Sequence, residues 1–196
     1  FIWKYKLHDS SDIKKISDQF SIPQSIATIM SLKKINNKER SRAFFFNDLN
    51  NLHNPLLMKD MDIAIDRIIK AQNKEELILI VGDYDTDGTT GASVLFLYLK
   101  AINIDVEYYI PNRQKEGYGV SLLAIEYAIK IGAKCLITCD CGITAFEAID
   151  YANQNKIDVI ITDHHKTKKT LPKAVAILNP HQVDCQYPFK GLCGAG

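Results

Sequence analysis

Charge of one sign is what this sequence has least of. Lys plus Arg total 24 against 23 Asp plus Glu, a net charge of +1 over 196 residues. The chain as a whole therefore exerts no pull on a polyanion, and a nucleic-acid partner has to be held by a local patch or through metal. No stretch has the length and apolarity of a membrane span, which needs roughly 20 apolar residues, and no signal peptide is visible. Cysteines are few, five in all. The number is odd and three lie in or beside apparent strands, which argues against a disulfide framework and for a reducing compartment, hence the cytoplasm. Only four of the basic residues are arginine. There is no internal repeat and no low-complexity linker. The chain starts at Phe1 without methionine and stops at Gly196, and it reads as a piece of a longer protein.

What is present is organised around Leu77–Thr90. Five apolar residues, Leu77–Val81, are followed by Asp83, Asp85 and Asp87 at alternate positions, with Gly82 and Gly88 bracketing them. An unbroken apolar run of this length predicts a strand buried on both faces, as in a parallel sheet. Three close carboxylates repel one another unless a cation sits among them, and otherwise one or two take up protons. All-oxygen donors of this kind suit magnesium or manganese. The plainer alternative is a solvated acidic turn; the buried strand in front of it favours metal.

Upstream, helical spacing predicts helices from a cap at Asp9 or Ser10 to Phe20, near Gln24–Leu32, at Asn37–Phe46 and at Pro55–Ala71, with no strand before residue 75. Residues 1–75 are thus a helical lead-in expected to pack on the domain that follows, and Phe44–Phe46 are expected in a core or domain contact. From residue 76 strands alternate with helices: Leu77–Val81, Asp105–Ile110, Lys134–Thr138, Asp158–Thr162 and Ala174–Leu178 around helices at Thr90–Ile102, Ser121–Ile131 and Thr144–Gln154, with a loop at Asp163–Lys173. The fold class is α/β, a five-stranded parallel sheet flanked by helices with right-handed crossovers.

Each predicted strand ends in polar residues: Asp83, Asp85 and Asp87; Pro111-Asn112-Arg113 with Gly117-Tyr118-Gly119; Asp140-Cys141-Gly142; Asp163-His164-His165; Asn179-Pro180-His181. In a parallel sheet the carboxyl ends share one edge, so these loops converge. Asp140 alone reads as a helix cap; beside the first loop it is a fourth oxygen ligand, and a carboxylate shared by two cations holds them ~3.5–4 Å apart for phosphoryl chemistry. Tandem histidines after a buried strand are hard to read as core residues. Their side chains diverge, so one can bind metal while the other faces substrate, with Asp163 a ligand or an orienting group. Arg113 suits a phosphate or pairs with Glu116. Tyr118 stacks on a base or merely covers its loop. Lys166, Lys168, Lys169 and Lys173 are a solvated face that can steer an anion. The thiols lack zinc-site spacing and are read as core groups or groups behind the ligands.

Together these motifs resemble the DHH phosphoesterase superfamily, and within it the bacterial single-stranded-DNA exonucleases. The likeness also covers Phe45–Met61, Asn179-Pro180 and Leu192–Gly196. It implies a DHH phosphoesterase domain at 76–196 and two Mn2+ or Mg2+ ions. Asp85, Asp87, Asp140 and His164 match metal ligands, Asp83 and Asp163 are ligands or near neighbours, His165 matches the phosphate contact, and Arg113 and Tyr118 lie where the nucleases grip the DNA end. Cys141 and Cys193 depart from the residues usual there without removing a ligand. The resemblance further implies that one metal-binding Asp and a substrate-closing domain lie downstream of residue 196.

Three functions follow. The first is a metal-dependent 5′-to-3′ exonuclease on single-stranded DNA, acting in repair and recombination. The second keeps the site and changes the substrate to a short oligonucleotide, cyclic dinucleotide or pyrophosphate. The third is a non-enzymatic receiver-like signalling domain, which leaves Asp163-His164-His165 unexplained.

Overall fold

A computed structural model describes residues 2, 4, 10–46, 48, 50 and 52–196. The chain divides into two compact units, Phe1–Leu52 and His53–Gly196. The first contains α1 (Ser10–Phe20), α2 (Gln24–Leu32) and α3 (Lys38–Phe45). Ile13 and Ile16 of α1 meet Ala27 and Met30 of α2 in a small core, each pair three residues apart and so on one helix face. Asn37 caps α3 by accepting from the Arg40 amide. Ser10 opens α1; Asp9, the alternative cap, lies outside the described residues. Phe44–Phe46 are not buried as expected: Phe46 is 67% exposed and Phe44 56%, while Phe45 packs its ring on Phe20 and Phe44.

The second unit opens with a 3-10 turn at Pro55–Leu57 and α4 (Met61–Asn73), then alternates β1 (Ile78–Gly82), α5 (Thr86–Ala101), β2 (Val106–Tyr109), α6 (Leu122–Ile131), β3 (Cys135–Cys139), α7 (Phe146–Gln154), β4 (Asp158–Thr162) and β5 (Ala176–Leu178). The strands form one parallel sheet in the order β2-β1-β3-β4-β5. β1 and β3 are buried at every position. Alternate side chains feed two cores, because successive residues of a strand point to opposite faces. Leu79, Val81, Leu136, Val159 and Ile161 join α6 and α7 on one face; Ile78, Ile80, Cys135, Ile137 and Ile160 join α4 and α5 on the other.

Two boundaries differ from the sequence reading. The compact units part at residues 52–53, where the reading placed the end of the lead-in at 75. The cause is α4, whose Ala64 and Ala71 are buried in the sheet's own core and whose buried Arg67 bonds Asp158 and the Lys134 carbonyl. Helix α5 starts at Thr86, four residues before its expected start, because the Asp85 side chain accepts from the Asp87 and Gly88 amides and caps it. Among the described residues no helix is long and apolar enough to cross a membrane. All five cysteines are free and all but Cys193 are buried.

Candidate metal centre

The carboxyl ends of β1, β3 and β4 deliver their loops to one place. Two overlapping donor groups form there. Asp83, Asp85 and Asp140 make one, Asp140, His164 and His165 the other, and within each group one ligand atom per residue lies within 4.8 Å of the rest. Asp140 belongs to both. Its backbone stands at φ 62°, the left-handed region that a non-glycine residue adopts at a cost. Its carboxylate is only 2% exposed. Asp140 Oδ1 is 3.0 Å from His164 Nε2 and yet has no hydrogen-bond donor. The approach is close, but no hydrogen bond forms there. Asp83 Oδ2 is likewise buried without a partner. Orphaned buried oxygens are costly in a folded protein, and a shared cation removes that cost. The residues fit a pair of hard divalent ions.

Electrostatics agree. Burial, and then the charges of Asp87 and Asp85, push the Asp140 carboxyl up to about 6. Burial, with Asp85 and Asp163 behind it, raises Asp83. Asp87 goes the other way. Burial opposes its charge, but amide hydrogen bonds from Gly194 at 2.6 Å and Ala195 at 2.8 Å, a bond from the Cys193 thiol and the nearby His164 bring its carboxyl below the usual value. His164 Nε2 lies 3.7 Å from Asp87 Oδ2. The Gly194 backbone passes so close to Asp140 that an added Cβ would stand 2.6 Å from Oδ1.

Asp163 is in neither donor group. Its Oδ2 accepts from the Ile143 amide at 3.0 Å, and its Oδ1 meets both the His165 amide at 2.9 Å and His165 Nδ1 at 2.7 Å. With both oxygens engaged it orients His165 and leaves Nε2 facing outward, where the Tyr118 hydroxyl lies 2.9 Å away. Asn179, fully buried after β5, anchors the same loop by donating to the His165 carbonyl.

Arg113 forms no ion pair with Glu116 among the described residues. Its guanidinium lies over the Tyr84 ring, 5.3 Å from the centroid, and Tyr84 meets Tyr118 edge to face. Tyr84 went unremarked in the sequence; its place between Asp83 and Asp85 was the available signal. Of the basic loop, Lys168 reaches the Phe146 ring. The structure thus brings together Asp83, Asp85, Asp140, His164 and His165, with Tyr118 on His165 and Arg113 one ring further out. Asp87 lies beside His164 but in neither donor group, both its oxygens accepting amides.

Residues 77–196 match the DHH family, N-terminal domain. The chain belongs to the DHH family. Among curated DHH proteins it is similar to the single-stranded-DNA-specific exonuclease RecJ of Bacillus subtilis, 37% identical over 194 residues, which is 99% of this chain and 25% of that protein. It is similar also to RecJ of Haemophilus influenzae, 36% identical over 82% of this chain and 27% of that one. A crystal structure of exonuclease RecJ bound to manganese has the same fold, with a TM-score of 0.67 at 32% identity over 74% of this chain and 37% of that one. This chain spans about a quarter of the length of the curated relatives it matches.

Proposed function

We propose that the chain carries the catalytic site of a metal-dependent exonuclease that hydrolyses phosphodiester bonds of single-stranded DNA from the 5′ end, in the cytoplasm, during DNA repair and recombination. One observation carries the reading: two donor groups share Asp140, whose Oδ1 is buried without a hydrogen-bond donor. A bridging carboxylate of this kind is what a two-ion phosphoryl-transfer site needs. The substrate is supported by the relatives, which are named for single-stranded DNA, and the ion by the manganese in the exonuclease of similar fold.

In this reading residues 76–196 are the phosphoesterase domain. Asp85, Asp87, Asp140 and His164 hold Mn2+ or Mg2+, with Asp83 adjoining them. Bound ions of this class polarise the phosphoryl group and lower the pKa of a bound water. Asp163 fixes the His165 ring so that Nε2 meets the substrate phosphate. Tyr118 and Arg113 receive the strand end, the guanidinium by its planar fork and the tyrosine by its ring.

The test is single-stranded DNA labelled at one end or the other, incubated with the protein and manganese. Mononucleotides released in order from the 5′ end, with duplex DNA intact, are expected. Release from the 3′ end would refute the polarity. Cleavage confined to dinucleotides or cyclic dinucleotides would replace the substrate, and no manganese-dependent release at all would refute the enzyme.

A further inference from the structure

Resting on the exonuclease reading, we infer that Glu116 is a positioning residue for single-stranded DNA: its carboxylate fixes the loop that presents Tyr118 to His165 and Arg113 to Tyr84. Glu116 touches neither the acidic cluster nor the histidines. It collects three donors from three elements. Oε1 accepts from the Asn112 amide at 2.7 Å. Oε2 accepts from the Tyr109 hydroxyl at 2.8 Å and from the Ser121 hydroxyl at 2.5 Å. Tyr109 ends β2, Asn112 begins the loop, and Ser121 caps α6 by accepting from the Ala124 amide. Tyr109 also leans on Tyr127 of α6, 5.4 Å between ring centroids. One acceptor-only group thus ties the end of a strand, the start of a loop and the start of a helix.

What lies between the ties explains their use. Gly117 stands at φ 79° and Gly119 at φ 90°, with open space where a Cβ would be. The glycines therefore serve the backbone path rather than a close contact. That path would be free to wander if its ends were loose. With the ends held, Tyr118 between the glycines has its hydroxyl 2.9 Å from His165 Nε2 and its ring edge-on to Tyr84 and to His165. Arg113, next to the tied Asn112, lies over the Tyr84 ring. A nucleic-acid strand offers what these groups recognise: phosphate for the guanidinium and imidazole, a base for the exposed ring.

The experiment compares Glu116→Ala, Glu116→Gln, Tyr118→Ala and the Glu116→Ala/Tyr118→Ala double variant in the full chain. Substrates are a 5′-phosphorylated oligothymidylate and the small diester bis(p-nitrophenyl) phosphate, both with manganese; manganese affinity is measured by calorimetry. Glu116→Ala is expected to raise KM for the oligonucleotide by about 10-fold or more, as loss of pre-set geometry does, leaving small-diester turnover and manganese affinity within about 2-fold. Glu116→Gln should keep most of the KM, because its carbonyl can meet the Asn112 amide while the two hydroxyls turn round to accept. The double variant should be no worse than Tyr118→Ala, since the two residues act as one unit. An unchanged oligonucleotide KM in Glu116→Ala, multiplying losses in the double variant, or equal losses on both substrates would overturn the inference alone. Wild-type protein that turned over the small diester and left the oligonucleotide intact would overturn the exonuclease reading and this inference with it.

Discussion

At the scale of single residues, the proposed site turns on Asp140 and His164. Their nearest atoms are 3.0 Å apart without a hydrogen bond, and in the proposed reading both serve a cation. Asp140→Ala and His164→Ala are each expected to cut manganese-dependent cleavage by more than the ~10²-fold that loss of an outer supporting partner can cost. Circular dichroism should stay normal, because neither residue belongs to the apolar cores. Near-normal activity in either variant would remove it from the site. Gly194→Ala tests the same point without touching a donor. Its new methyl would overlap the Asp140 side chain, and manganese affinity by calorimetry should fall by about 10-fold. An unchanged affinity would show that the segment yields and that its closeness to Asp140 is incidental.

At the scale of elements, α4 adds a buried cation to the apolar packing of Ala64 and Ala71 that joins it to the sheet. Arg67 bonds Asp158 at 2.6 Å, forms an ion pair with Glu76 at 2.8 Å and donates to the Lys134 carbonyl. Removing one partner of a buried pair costs about 3–5 kcal/mol. Here the Asp158 side chain is 41% exposed and water can take over part of its hydration. Arg67→Ala is therefore expected to cost about 2–3 kcal/mol, read from the midpoint of urea unfolding; a loss below ~0.5 kcal/mol would show that the pairing contributes no more than a surface bridge.

At the scale of the whole molecule, metal and pH act on stability through the same oxygens. The fold has two apolar cores of its own, so chelation should lower the melting temperature without unfolding the chain, unlike a zinc finger. The pH dependence has a definite sign. Asp140 titrates near 6 in the fold and near 3.8 when free, so the folded state holds its proton more tightly. The unfavourable charge is absent below about pH 4, grows between pH 4 and 6 and is complete above. Metal-free protein should thus lose stability at this group as pH rises through that window. Manganese should flatten or reverse the trend, because ionised Asp140 then has a counter-charge. A metal-free melting temperature that rose from pH 4 to 6 by as much as the manganese-loaded one would contradict the assignment.

The sequence alone determined most of the sheet. Five apolar segments at βα spacing predict a parallel order, and all five strands lie within two residues of where the pattern puts them, because burial on both faces leaves few other choices for such segments. The convergence of Asp83, Asp85, Asp87, Asp140, His164 and His165 followed from that topology, since parallel strands share a carboxyl edge. Tertiary structure decided what depends on angle rather than order. Which groups the Asp163 carboxylate meets turns on rotamers and on the Ile143 amide, twenty residues away in sequence. Whether Arg113 pairs with Glu116 turns on Tyr109 and Ser121 having claimed that carboxylate first. The start of α5 turned on one Asp85 oxygen accepting two amides, and the affiliation of α4 on a buried guanidinium together with Ala64 and Ala71 in the sheet's core. These are competitions among nearby groups for the same hydrogen bonds, and spacing along a chain does not say which partner wins.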